Sequence, residues 1–162
     1  MAGAGRNAGL TTSWSADLLH ERSSRPLIER SQGQRRFLAL LDTNVAIDHL
    51  LGSPPAVDLL SDLIEAEEAL LASEVVRFEL LAGVREKEVD ALEQFFSALS
   101  WVPVGEEVAR TAGSLAQRHR RSHSGIDDAD YLIAATALLL DAELLTTNVR
   151  HFPMLTGLAS AY

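Results

Sequence analysis

The sequence predicts an α/β fold: a three-layer α/β/α sandwich around a central parallel sheet of four or five strands. Three observations carry this reading. Strand-like and helix-like patterns alternate from residue 37 onward, the strand-like runs are short and apolar, and the first of them, Phe37 to Leu41, stops abruptly at Asp42. Alternation of this kind implies parallel strands joined by helices that cover both faces of the sheet.

Taken in order, strands are expected at 37–42, 69–73, 100–104 and 143–147, each Leu-rich or β-branched. Helical periods fill the intervals at 45–51, 55–66, 74–82, 86–98, 105–121 and 127–141. Pro54 and Pro55 separate the first two helices, Gly83 closes the third, and Pro103-Val104-Gly105 marks the turn into the fifth. Residues 37–162 read as one domain. Residues 1–36 differ: Gly, Ser and Arg are frequent there, no apolar period persists, and Pro26 interrupts any helix. They read as a flexible N-terminal extension. A transit peptide would suit the Arg and Ser content, but Asp17, Glu21 and Glu29 count against it.

The 162 residues carry a net charge of -9, and cysteine is absent. Disulfides and thiolate zinc sites are thereby excluded, and a reducing cytoplasm suits the composition. No apolar run approaches the roughly 20 residues that span a bilayer, so a soluble cytoplasmic protein without a membrane partner is expected. Residues 1–36 hold six Arg against three acids, which leaves the body near -12 by subtraction from -9. A body this acidic argues against binding nucleic acid by general phosphate neutralisation. A pocket of acids filled by divalent cations is locally no longer negative, and Arg77, Arg118, Arg120, Arg121 and Arg150 are candidates for a short basic rim around it.

Several polar residues stand where such a pocket belongs. Asp42 follows the first strand directly, at the carboxyl edge where open α/β sheets bind ligands; as an alternative it caps the helix that begins near Val45. Glu79 lies in the helix after the second strand, on a face that the sequence leaves ambiguous between site and solvent. Asp127 and Asp130 are one helical turn apart. A helix N-terminus is reason enough for Asp127 and Asp128. Asp130 precedes an almost wholly apolar dozen, so it needs a partner, for which a metal ion is the natural choice. Asn148, after the last strand, is read equally well as a ligand to phosphate or metal-bound water and as a turn residue. His151 is a candidate base, although its neighbours Phe152 and Pro153 favour a structural role. His49, His119 and His123 show no zinc spacing.

Two or three convergent acids suit Mg2+ or Mn2+, which take oxygen ligands and keep several waters. Such ions polarise a phosphodiester and activate a water without a protein nucleophile. The chemistry expected from the carboxylates alone is therefore metal-dependent phosphodiester hydrolysis.

Four segments in this order, LeuLeuAspThrAsnVal, SerGluValValArgPheGluLeuLeuAlaGly, AspTyrLeuIleAlaAlaThrAlaLeu and LeuLeuThrThrAsnValArgHisPhe, resemble the PIN-domain ribonucleases, specifically the VapC-type toxins of bacterial toxin-antitoxin systems. The match runs from about Phe37 to the C-terminus. The resemblance implies a small α/β/α sandwich and Mg2+- or Mn2+-dependent endoribonuclease activity on cellular RNA. It also implies a VapB-like antitoxin partner and a homodimer. It places the first three acids, the metal ligands, at Asp42, Glu79 and Asp130. Where many relatives have a fourth acid this chain has Asn148, and Asp127 is a possible substitute. Two rivals stand beside it: a catalytically weakened domain that only binds a partner, and an aspartyl-nucleophile phosphatase. The phosphatase generally wants a Lys near the phosphoryl group, and the single Lys, Lys87, lies in a charged surface stretch.

Overall fold

The computed structural model describes residues 38–123 and 125–162, so the extension expected over 1–36 lies outside the described residues. Among these, four strands form one sheet: β1 Leu38–Leu41, β2 Ala69–Ser73, β3 Ser100–Val102 and β4 Glu143–Leu145. All neighbours are parallel, in the order β3-β2-β1-β4. Six helices connect them: α1 Thr43–Leu50, α2 Pro54–Glu65, α3 Glu74–Gly83, α4 Val89–Ser97, α5 Glu106–His119 and α6 Asp128–Leu140. The chain steps outward from β1 to β2 to β3 and then returns to the other side of β1. Right-handed crossovers therefore put α1 to α4 on one face and α5 and α6 on the other. The direction reverses between β1 and β4, which is where a crevice opens at the carboxyl ends of the strands.

Burial explains why β1 reads as a continuous apolar run: Ala39, Leu40 and Leu41 are fully buried between the helical layers. Helix α6 is nearly as enclosed, with Tyr131, Ile133, Ala134, Ala135 and Ala137 in the core. It ends at Asp141, whose φ of 51° turns the chain into β4.

The element boundaries shift for identifiable reasons. Strand β3 stops at Val102 because Pro103 has no N–H for the ladder. Strand β4 stops at Leu145, two residues early, because Thr146 and Thr147 turn their polar groups to other tasks. The Thr146 carbonyl accepts from the Ala161 N–H at 2.8 Å, and Thr147 N–H donates to Asn44 Oδ1 at 3.3 Å. The helix expected over 86–98 divides into a 3-10 turn, Glu86–Glu88, and α4.

One expected rim residue is corrected here. The Arg77 guanidinium lies 3.9 Å from the Trp101 ring centroid and 5.1 Å from that of Phe96, and it bonds Glu74 at 2.7 Å. It ties α3 to the sheet edge and is not a free cation.

Candidate active site

Asp42 is the N-cap of α1, as one reading of it expected, and it is also a buried carboxylate at the end of β1. Its Oδ1 accepts the Thr43 N–H at 2.8 Å, and its Oδ2 accepts the Thr146 hydroxyl at 2.7 Å. Only 5% of the residue is exposed. Thr146 is a junction: its Oγ1 also accepts from Asn44 Nδ2 at 3.2 Å and from the Asn148 N–H at 2.9 Å. The ends of β1 and β4 are thereby locked together at the crevice.

Glu79 faces the same place. Helix α3 turns it back toward α1, where Thr43 Oγ1 donates to its Oε2 at 2.5 Å. It is half-buried, not a solvated helix glutamate.

Asp130 reaches the cluster from the first turn of α6. It forms a reciprocal cap with Asp127: Asp130 N–H donates to Asp127 Oδ1 at 2.9 Å, and Asp127 N–H to Asp130 Oδ2 at 3.0 Å. His151 Nδ1 lies 3.0 Å from the same Oδ2. The protein therefore supplies partners for Asp130, and burial by itself does not demand a metal ion. Asp128, in contrast, is exposed, pairs with Arg120, and lines a groove of about 810 Å³ between α5 and α6 together with Ala112, Gly113 and Tyr131.

The electrostatics show that these acids form one neighbourhood. Burial, foremost, pushes the carboxyls of Asp42, Glu79 and Asp130 above their usual range. Hydrogen bonds from Thr146 and Thr43 oppose this at Asp42, and Thr43 opposes it at Glu79. The charge of Asp127 raises all three, and that of Asp42 raises Glu79 and Asp130 as well. Asp127, although exposed, therefore lies close enough for its charge to reach all three.

Asn148 is placed less decisively. Its backbone opens the 3-10 turn Val149–His151, and its side-chain amide makes no hydrogen bond among the described residues. The turn-residue reading accounts for what it does in the fold. Thr43, Asn44 and Thr146 join the site without having been singled out as ligands, and His151, weighed from the sequence as a base or a structural residue, meets Asp130 there. Thr43 and Asn44 adjoin Asp42 in sequence, whereas no spacing rule pairs position 146 with position 42.

Of the expected rim, Arg120 is engaged by Asp128, and Arg118, Arg121 and Arg150 are exposed and form no ion pair among the described residues. No group of three or more His, Cys, Asp or Glu side chains forms a ready cage for a metal ion among the described residues. His49 stacks on Phe95 with centroids 5.3 Å apart, away from this cluster. No helix among the described residues is long and apolar enough to cross a membrane.

A parallel sheet in the order β3-β2-β1-β4 with carboxylates gathered at its switch point defines an open α/β protein with an acidic crevice, and the sequence comparisons assign its family. The PIN domain family matches residues 39–154, and the chain belongs to it, within the VapC group. The chain is 61% identical over 125 residues to ribonuclease VapC19 of Mycobacterium tuberculosis, a match covering 77% of this chain and 100% of that protein. It is 40% identical over 117 residues to ribonuclease VapC10 of the same organism, covering 72% of this chain and 87% of the relative. Among solved structures, a toxin-antitoxin complex from Klebsiella pneumoniae superimposes with a TM-score of 0.62 at 26% identity, over 76% of this chain and 98% of that one. VapBC-1 from nontypeable Haemophilus influenzae gives 0.63 at 25% identity, over 76% and 96%.

Proposed function

We propose that this chain is the toxin of a toxin-antitoxin pair, an endoribonuclease that hydrolyses RNA phosphodiester bonds with Mg2+ or Mn2+ held at Asp42, Glu79 and Asp130. The observation that carries the site assignment is the convergence of three carboxylates, from the end of β1, the middle of α3 and the first turn of α6, on the crevice between β1 and β4. The family membership and the ribonuclease relatives support the reaction class.

The residues present fit a hard divalent ion. Their donors are oxygen only, and their raised proton affinities reflect burial and mutual repulsion that a cation relieves. Glu79 Oε1 and Asp130 Oδ1 receive no hydrogen bond among the described residues and stay available. Since Mg2+ retains several waters, a ready protein cage is not required. When bound, such an ion supplies Lewis-acid polarisation of the phosphodiester and a water of lowered pKa.

The rest of the work belongs to the chain. Thr43 and Thr146 hold Asp42 and Glu79 in place. Asp127 fills the role of the absent fourth acid, and Asn148 offers an unengaged amide to a phosphate oxygen or a water. Arg118, Arg121 and Arg150 offer cations to the RNA backbone. An aspartyl phosphatase finds no support, because Lys87 sits exposed in the turn Glu86–Glu88.

For the partner, Ile47 on α1, Leu51 at its C-cap, and Phe78 and Leu81 on α3 are exposed apolar side chains, and the two helices touch one another. An antitoxin segment laid across them, with an Arg or Lys reaching the acids, competes with the metal through charge-assisted hydrogen bonds.

The test is cleavage of a single-stranded RNA by the purified chain with Mn2+ or with EDTA. Asp42→Asn, Glu79→Gln and Asp130→Asn should each lower the rate by roughly 100-fold, the scale of losing one transition-state contact. Asp128→Asn should leave it unchanged. Cleavage that persists in EDTA, or an Asp130→Asn variant as fast as the parent at saturating Mn2+, would remove the metal assignment. Mn2+ uptake without any cleavage would favour the weakened binding domain instead.

A further inference from the structure

His151 touches Asp130 yet has no part in the chemistry derived so far. His151 closes the 3-10 turn Val149–His151 and precedes the fully buried Phe152, whose N–H donates to Val149 O at 3.0 Å. The His151 side chain is 36% exposed, so packing gives little reason for an imidazole here, whereas its Nδ1 meets a carboxylate only 12% exposed. An ionised carboxylate can only accept, so Nδ1 carries the hydrogen.

The consequence lies in how Asp130 is held. The terminal torsion of an Asp is broad, and a single donor leaves the carboxylate plane free to swing. Here Oδ2 takes two donors from different directions, the Asp127 N–H and His151 Nδ1, each at 3.0 Å. Two anchors on one oxygen fix the plane and leave Oδ1 without a donor, turned over to the cation. We infer that His151 is a positioning residue: it fixes the Asp130 carboxylate in the orientation that binds the divalent ion. The inference rests on the metal-dependent reading of the site.

Two replacements separate this role from packing. His151→Asn keeps an N–H near the position of Nδ1 and loses the ring; His151→Phe keeps the ring and loses the N–H. Mn2+ affinity of the whole chain, read from the electron paramagnetic resonance of the free ion, needs no substrate. His151→Phe should weaken Mn2+ binding by about 10- to 100-fold, the usual cost of removing a group that orients a ligand. His151→Asn should stay within a few-fold of the parent. RNA cleavage at limiting Mn2+ should follow the same order, with KM for RNA unchanged in both. Equal Mn2+ affinity in His151→Phe and the parent would overturn the inference, as would a His151→Asn variant weaker than His151→Phe. A parent chain that binds no Mn2+ would overturn the metal-dependent function itself, a separate result read in the same titration. Circular dichroism and melting confirm that both variants fold; if His151→Phe does not, Mn2+ affinity of His151→Asn below that of the parent by 10-fold or more decides against the inference.

Discussion

The Thr146 hydroxyl donates to Asp42 Oδ2 across 2.7 Å, joining two residues 104 positions apart in the chain. It is the link that makes the ends of β1 and β4 one site. With Asn44 and the Asn148 N–H also bound to Thr146 Oγ1, one buried oxygen organises the loop that follows β4.

Thr146→Val keeps the shape and deletes this hydroxyl. A hydrogen bond to a charged group contributes about 2 kcal/mol, and Thr146 is fully buried, so a loss of that size is expected by chemical denaturation. Thr146→Ser, which keeps the hydroxyl, should lose clearly less. Equal losses in the two would show that packing and not the bond to Asp42 is at stake.

The acids should make the metal-free protein respond to pH in a defined direction. A carboxyl whose folded-state pKa is raised binds its proton more tightly folded than unfolded. Stability from Asp42, Glu79 and Asp130 is therefore gained as pH falls through their raised folded values toward the ordinary carboxylate value of about 4. Glu79→Gln removes one of these groups, so in EDTA at pH 8 it should melt above the parent by roughly 2–4 °C. That advantage should shrink on going to pH 5. His49, whose buried imidazole is pushed below its usual range, loses stability as pH falls below about 6.5, but it is common to both proteins and cancels in the difference. A constant gap across the range would argue against a raised proton affinity at Glu79.

Expression of the chain should arrest bacterial growth, and the antitoxin encoded beside it should restore growth and co-purify. Leu51 is 66% exposed and Phe78 69%, an unusual pair of surfaces for a lone protein. Leu51→Asp or Phe78→Asp should weaken the complex by about 2 kcal/mol, or roughly 30-fold in Kd, if they anchor the partner. Unchanged affinity in both would move the docking surface elsewhere.

Residues 1–36 are proposed to be dispensable for the PIN domain, since 125 residues of this chain match the whole length of VapC19. A chain beginning at Phe37 should melt within about one degree of the full chain. A fall of several degrees would show that the extension packs on the domain.

Much of this architecture was legible in the order of residues. The apolar run into Asp42, the Pro54-Pro55 break and the apolar stretch after Asp130 each report local chemistry: burial on both strand faces, a missing N–H, a helix sunk into the core. Glu79 was less legible. Its neighbours Phe78, Leu80 and Leu81 surround it with apolar residues on every side of the helix, so periodicity could not choose its direction, and only the approach of Thr43 did.

The sequence by itself determined the strand-helix alternation, the family and the carboxylates at Asp42 and Asp130, because all of these are written within a few neighbouring residues. Tertiary structure alone decided that Thr146 serves Asp42, that Arg77 is spent on Trp101, and that His151 and the Asp127 N–H meet on one oxygen of Asp130. Those pairings join different layers or distant strand ends, where contact depends on sheet order and crossover direction, and no local pattern encodes the distance between two side chains that the fold brings together.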